Sequence, residues 1–217
     1  MPIETRRGVV SVDVLERRLL ERILAPPPKL LFRERQLERA LALAKNGVSF
    51  VVYGPVGAGK TTLLWKVRAH SPGALYVSCA SARTHSALQR KLEPARLYLI
   101  DDYSLAVREP RLRELVRSLK PKIVVVYPPV EVYEELELFE KLEMPAYTLE
   151  ELEEICRERA ARLALAVDDE DVRAAAKTGL EHGGNARVAL MVLAERAAVN
   201  SYRLAMEGRR LPFSVEA

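Results

Sequence analysis

Gly54-Pro55-Val56-Gly57-Ala58-Gly59-Lys60-Thr61 fits in full a pattern of glycine, four residues, Gly-Lys, then Ser or Thr. The run Ser49-Phe50-Val51-Val52-Tyr53 before it is β-rich, and residues 60–69 after it carry helical spacing. A loop between strand and helix is the context this pattern needs to hold a phosphate. Glycines at 54, 57 and 59 permit positive φ, so that successive backbone N–H groups can face one anion. The helix that follows adds its positive N-terminal dipole. Lys60 is placed to reach β- and γ-phosphates, and the Thr61 hydroxyl to ligate Mg²⁺. Pro55, Val56, Ala58 and Thr62 are assigned to the site with the rest of the loop. The expected ligand is ATP or ADP with Mg²⁺; the bland alternative is a glycine-rich turn with a lysine nearby.

Three further runs read as strands: residues 74–79 (ALYVSC), 96–101 (RLYLID) and 122–127 (KIVVVY). Each is nearly continuous in apolar residues, as in a parallel strand covered on both faces. Helical spacing fills 33–45 before the loop and 84–92 and 110–119 between the strands. The alternation predicts a parallel α/β sheet with right-handed crossovers, a P-loop nucleotide-binding core over 31–147. A weaker fifth strand is expected near 143–147, and the acidic run 131–143 reads as an amphipathic helix.

The strand over 97–101 runs into Asp101-Asp102. Downstream of a complete phosphate loop, Asp101 is the expected Walker B carboxylate, holding Mg²⁺ directly or through water. Asp102 then stands where many such ATPases have a glutamate that polarises the attacking water, although its side chain is one methylene shorter. A base must come within about 3 Å of that water or act through another. The alternative is a pair of carboxylates that caps the next loop.

After Tyr147 apolar residues recur every three or four. Thr148 and Glu151 form a capping box, Asp168 starts another helix with Gly179 expected as its C′ residue, and a long helix follows Gly183-Gly184. A small helical lid domain over 148–217 is expected. The N-terminal residues 1–30 read as a separate helical segment, residues 12–24, followed by a linker at Pro26-Pro27-Pro28.

Composition sets bounds on function. The chain has 217 residues and a formal charge of +4, mildly basic, which allows nucleic-acid contact without requiring it. No apolar run approaches the roughly 20 residues of a membrane span, and the N-terminus lacks a secretory h-region, so a cytoplasmic protein without membrane contact is expected. Arg, Glu and Leu are abundant and Asn and Gln scarce, a thermophile-like bias. Cys79 and Cys156 read as reduced core thiols, and His70, His85 and His182 lack metal-ligand spacing. Trp65 reads as a packing residue. Arg6, Arg7, Arg17, Arg18 and Arg22 are interleaved with Glu16 and Glu21, so a solvated helix face competes with a phosphate-tracking one.

Taken together the chain resembles the AAA+ ATPases, and most the archaeal Orc1/Cdc6 replication initiators. LFRERQLERAL (31–41) is similar to their segment before the phosphate loop, MPAYTLEELEEICRERA (144–160) to their passage into the lid, and GGNARVAL (183–190) to their sensor 2 motif. The resemblance spans 31–207 and implies that Arg187 is the sensor 2 arginine, gripping the γ-phosphate through two donors. It also places Arg33, with Leu31 and Phe32, near adenine. A surface ion pair for Arg187 and ordinary helix packing for Arg33 are the alternatives.

The sequence departs from that group in three places. No Asn or Thr stands at the end of the fourth strand, where Tyr127 is the polar candidate for sensor 1. VEVYEELELFEKLEMPAY contains no arginine for a finger, with Glu131 near the expected position and Lys141 the nearest cation. The group continues into a winged-helix domain, whereas this sequence stops at Ala217, so a chain without that domain is expected. Fingers contribute about 10³–10⁵ in rate in related phosphoryl transfer. The reading is therefore a Mg·ATP-binding switch with slow hydrolysis that meets a protein partner or a second copy, with DNA reached indirectly. A non-catalytic adaptor with a structural nucleotide, and a clamp-loader-like or signalling ATPase, stand as alternatives.

Overall fold

The computed structural model describes residues 3–5, 8–10, 12–82, 84–105, 109–130 and 133–207. The chain divides into two compact units, 1–26 with 146–217 and 27–145. It opens with a short antiparallel pair, β1 (Ile3–Thr5) and β2 (Gly8–Val10), that the sequence reading did not anticipate, followed by α1 (Val12–Leu24).

The unit 27–145 holds a five-stranded, all-parallel sheet. Its elements in chain order are α2 (Glu34–Lys45), β3 (Phe50–Tyr53), α3 (Lys60–His70), β4 (Ala74–Ser78) and α4 (His85–Gln89). β5 (Leu97–Asp101), α5 (Pro110–Ser118), β6 (Lys122–Val126) and β7 (Glu140–Glu143) follow. The strand order is β4-β5-β6-β3-β7. Burial on both faces explains the apolar runs. Phe50, Val52, Leu99, Ile123 and Val125 join one core with Ala40, Leu63, Leu64 and Val67 from α2 and α3. Val51, Ile100, Val124 and Val126 point the other way, into a core with Leu88, Leu112 and Val116 from α4 and α5. Two packed layers of helix on a parallel sheet leave the strand ends free to carry polar side chains.

Two expectations in this unit need correction. The fifth strand is Glu140–Glu143, not 143–147. The acidic run is not an amphipathic helix over its described part: a single 3-10 turn at Glu134–Leu136 leads into that strand. Among the described residues β7 pairs on one side only, with β3, and only Leu142 of its four residues is buried. An edge strand of this kind has little apolar signal to read.

The helical unit holds α6 (Leu149–Leu163), α7 (Asp169–Glu181) and α8 (Ala186–Met206). The Thr148–Glu151 capping box is formed, and Asp168 and Asp171 make a second. Gly179 is not the C′ residue of α7 but a buried interior position, and a Cβ there would lie 2.7 Å from the Ala189 Cβ. Close approach to α8, rather than helix termination, calls for glycine. The helix α1 belongs to this unit instead of standing apart. Buried Arg159 of α6 donates to the carbonyl oxygens of Ile23 and Ala25 and so satisfies the C-terminal end of α1. Among the described residues no helix is long and apolar enough to cross a membrane.

Candidate nucleotide-binding site

The loop 54–59 leaves the end of β3 and opens α3. Gly54, Gly57 and Gly59 have φ of 151°, 80° and 94°. At Gly54 the requirement is absolute, because a Cβ would lie 2.1 Å from the Met144 carbonyl oxygen. Lys60 is 6% exposed. Its Nζ donates to the carbonyl oxygens of Gly54 and Pro55, both at 2.7 Å, and lies 4.5 Å from the Tyr127 ring centroid. The ammonium is thus held inside its own loop by two carbonyls and an aromatic face.

Asp101, the last residue of β5, is 1% exposed. Its Oδ2 accepts from the Tyr76 hydroxyl at 2.8 Å and its Oδ1 from the Asp102 backbone N–H at 3.0 Å. The Thr61 hydroxyl lies near enough to this carboxylate to favour its charged form. Burial pushes the Asp101 carboxyl above the usual range, and the Asp102 charge adds to that. The bonds from Tyr76 and the backbone, and the nearby Thr61 hydroxyl, act against it. Burial, with the Asp101 charge next, likewise raises the Tyr76 hydroxyl and keeps it a donor. The fold therefore brings the Thr61 hydroxyl near Asp101. Two hard oxygen donors beside a phosphate loop suit Mg²⁺, which takes one or two protein oxygens and fills its shell with phosphate and water. A cation there would also offset the cost of keeping Asp101 ionised in a dry place.

Asp102 stands in the left-handed region, φ 54°. Its carboxylate accepts from Ser78 Oγ at 3.0 Å and from the Tyr127 hydroxyl at 3.3 Å. Tyr127 is fixed in turn by its N–H, which donates to Ser104 Oγ at 2.8 Å. The polar candidate at the end of β6 thus lies against both Lys60 and Asp102.

The remaining assigned residues are placed differently. Arg33, 2% exposed at the start of α2, donates from its two terminal nitrogens to the carbonyl oxygens of Phe32 and Pro145, each at 2.8 Å. It joins the segment before α2 to the exit of β7. Arg187 is exposed in the first turn of α8, whose N-cap Asn185 accepts from the Arg187 and Val188 N–H groups. It belongs to the helical unit, while Lys60, Thr61, Asp101 and Asp102 belong to the sheet unit. Arg6, Arg7 and Glu131 lie outside the described residues. Among the described residues no group of His, Cys, Asp and Glu is arranged to hold a metal by itself. Both cysteines are free and buried, as expected.

Sequence reasoning missed Tyr76 and Ser78. Both sit on β4, where Ser78 pairs in register with Asp101. Their signal was present: a Tyr and a Ser two apart share one face of a strand that otherwise reads as continuous core.

The chain matches solved structures across most of its length. It is similar to the ORC2 protein of Aeropyrum pernix in its ADPNP–ADP complexes, at 17% identity and TM-score 0.58, over 89% of this chain and 68% of that one. The ADP form of ORC2 gives 20% identity and TM-score 0.59 over the same shares. The chain has the AAA+ fold. Also similar is the RuvB Holliday junction branch migration motor of Thermotoga maritima, at 19% identity and TM-score 0.57, over 89% of this chain and 69% of that one. The chain spans as little as 63% of another RuvB structure. No family model and no curated protein matches the sequence. In this AAA+ fold the phosphate loop and the two carboxylates stand at the C-terminal ends of the parallel strands β3 and β5, on either side of β6, where open α/β sheets place their ligands.

Proposed function

We propose that the chain is a Mg·ATP-binding AAA+ protein that acts as a nucleotide-dependent switch of the Orc1/Cdc6-like kind and hydrolyses ATP slowly. The observation that carries this is buried Asp101, held by Tyr76 at the end of β5 with the Thr61 hydroxyl near it, beside a phosphate loop closed around Lys60. In this reading the N–H groups of 54–62 and the Lys60 ammonium bind the phosphates. Thr61 and Asp101 would hold Mg²⁺, which supplies charge neutralisation on the phosphate oxygens. Asp102 orients water, Arg187 reads the γ-phosphate, and Arg33 supports the adenine side by fixing the backbone at Phe32 and Pro145. That ORC2 was solved as ADPNP–ADP complexes supports nucleotide as the ligand, and the initiator resemblance supports a role in DNA replication through a protein partner.

Slow hydrolysis rests on two features. The carboxylate of Asp102 is engaged by Ser78 and Tyr127, and 130–147 offers no arginine to a neighbouring site. Single-turnover hydrolysis beside a Lys60→Ala control tests this, and a rate near that of a vigorous AAA+ motor refutes it. The engaged Asp102 also favours a second reading, an adaptor that keeps its nucleotide as a structural ligand. Bound ATP that survives purification and prolonged incubation with Mg²⁺ would select it.

A further inference from the structure

Asp101 owes its orientation to a residue on another strand. Tyr76 of β4 donates its hydroxyl to Asp101 Oδ2 at 2.8 Å, on the oxygen not used by the Asp102 N–H. The Tyr76 ring is itself seated. It stacks on Trp65 of α3 with centroids 4.6 Å apart and planes at 28°, and the Arg68 guanidinium lies 5.1 Å from the Trp65 ring centroid. Trp65 is in the helix that the phosphate loop opens, four residues after Thr61. Helix α3 thus reaches Asp101 through Trp65 and Tyr76, and it also places Thr61 near that carboxylate.

We infer that Tyr76 is a positioning residue that sets the metal affinity of this site, by holding Asp101 so that one carboxylate edge stays turned to the Thr61 side, and that Trp65 reports its state optically. The inference rests on the Mg·ATP reading above. The physical reason is that a ligating carboxylate fixed by a second donor loses little freedom on binding a cation. Loss of such a donor typically weakens metal affinity about 10–100-fold. The phosphate contacts of Lys60 and the loop do not pass through Tyr76, so binding of nucleotide without metal is independent of it. Trp65 is the chain's single tryptophan, so its emission isolates this stack.

The test is an equilibrium titration of ATP into the full chain by calorimetry, at a series of Mg²⁺ concentrations and in EDTA, with Trp65 emission followed alongside. The Tyr76→Phe variant keeps the stacked ring and loses only the hydroxyl. Its affinity for ATP in EDTA is expected to stay within about twofold of wild type, while the Mg²⁺ concentration for half-maximal tightening rises about 10–100-fold. The Mg²⁺-dependent change in Trp65 emission should shift to the same higher concentrations. A Trp65→Phe variant keeps a ring under Tyr76 and should retain the wild-type Mg²⁺ midpoint. An unchanged Mg²⁺ midpoint in Tyr76→Phe overturns the inference and leaves the Mg·ATP reading standing. An equal loss with and without metal also overturns it, because Tyr76 would then serve only the fold. If wild-type protein shows no Mg²⁺-dependent tightening at all, the underlying reading fails and the inference falls with it.

Discussion

Replacing Gly184 with alanine is expected to destabilise the helical unit by about 2–5 kcal/mol, and the same change at its neighbour Gly183 by only about 1–2 kcal/mol. Both glycines adopt left-handed backbone, φ 78° at Gly183 and 70° at Gly184. An alanine in that region costs about 1–2 kcal/mol at either position. The surroundings differ. A Cβ on Gly183 meets nothing within 4 Å, whereas one on Gly184 lies 2.5 Å from the Tyr147 carbonyl oxygen and 2.8 Å from the Tyr147 nitrogen. Those are backbone atoms, and the Tyr147 N–H also donates to the Gly184 carbonyl at 3.2 Å, so neither strand of chain can yield without losing that bond. Forced overpacking of this kind adds about 1–3 kcal/mol. Urea unfolding followed by helical circular dichroism, with the two variants side by side, measures the difference. Equal destabilisation by the two substitutions would refute the close approach of Gly184 to Tyr147.

Other consequences concern buried titratable groups. Lys122 has no exposed surface, and its Nζ donates to the carbonyl oxygens of Arg117 and Leu119 and lies 4.7 Å from the Phe139 ring centroid. Burial, with Lys120 adding to it, lowers its ammonium to about 8. The unfolded chain then binds more protons than the folded one from about pH 8 up to the ordinary lysine range, so this group makes stability rise with pH there. Relative to Lys122→Met, the wild type should gain about 1–3 kcal/mol between pH 7.5 and 10 in urea unfolding, and a pH-independent difference would contradict it. The Cys79 and Cys156 thiols are both pushed up to about 12, chiefly by burial. Neither should react with a thiol reagent at pH 8 until urea unfolds the chain, and prompt native labelling would show the burial to be wrong.

The fold was legible where the physics is local. Phe50–Tyr53, Leu97–Asp101 and Lys122–Val126 lie in the interior of a parallel sheet, so their apolar runs announce them. The phosphate loop was readable because its chemistry is written in consecutive residues. β7 was misplaced because its sequence Glu-Lys-Leu-Glu exposes three of four residues at the sheet edge. Gly179 was misread because a helix-ending glycine and a packing glycine look alike until Ala189 is seen against it. The docking of α1 through Arg159 links residues 136 or 134 positions apart, which no periodicity encodes. In the proposed site, the assignments of Lys60, Thr61, Asp101 and Asp102 come from motif spacing. Tyr76 and Ser78 could not be assigned that way, because their bonds to Asp101 and Asp102 depend on the register that sets Ser78 opposite Asp101. Arg33 could be located as a helix-start residue, but not as the guanidinium that grips Phe32 and Pro145.

The central claim is that Lys60, Thr61 and Asp101 form one Mg·nucleotide cradle. The most direct measurement is equilibrium binding of ATP to the folded chain, with and without Mg²⁺, for wild type and Lys60→Ala. Saturable one-to-one uptake that Mg²⁺ tightens and that Lys60→Ala weakens at least about 100-fold, the loss of two charge-assisted contacts, is the predicted result. Wild-type protein that takes up no ATP, or a Lys60→Ala variant that binds as well as wild type, would contradict it.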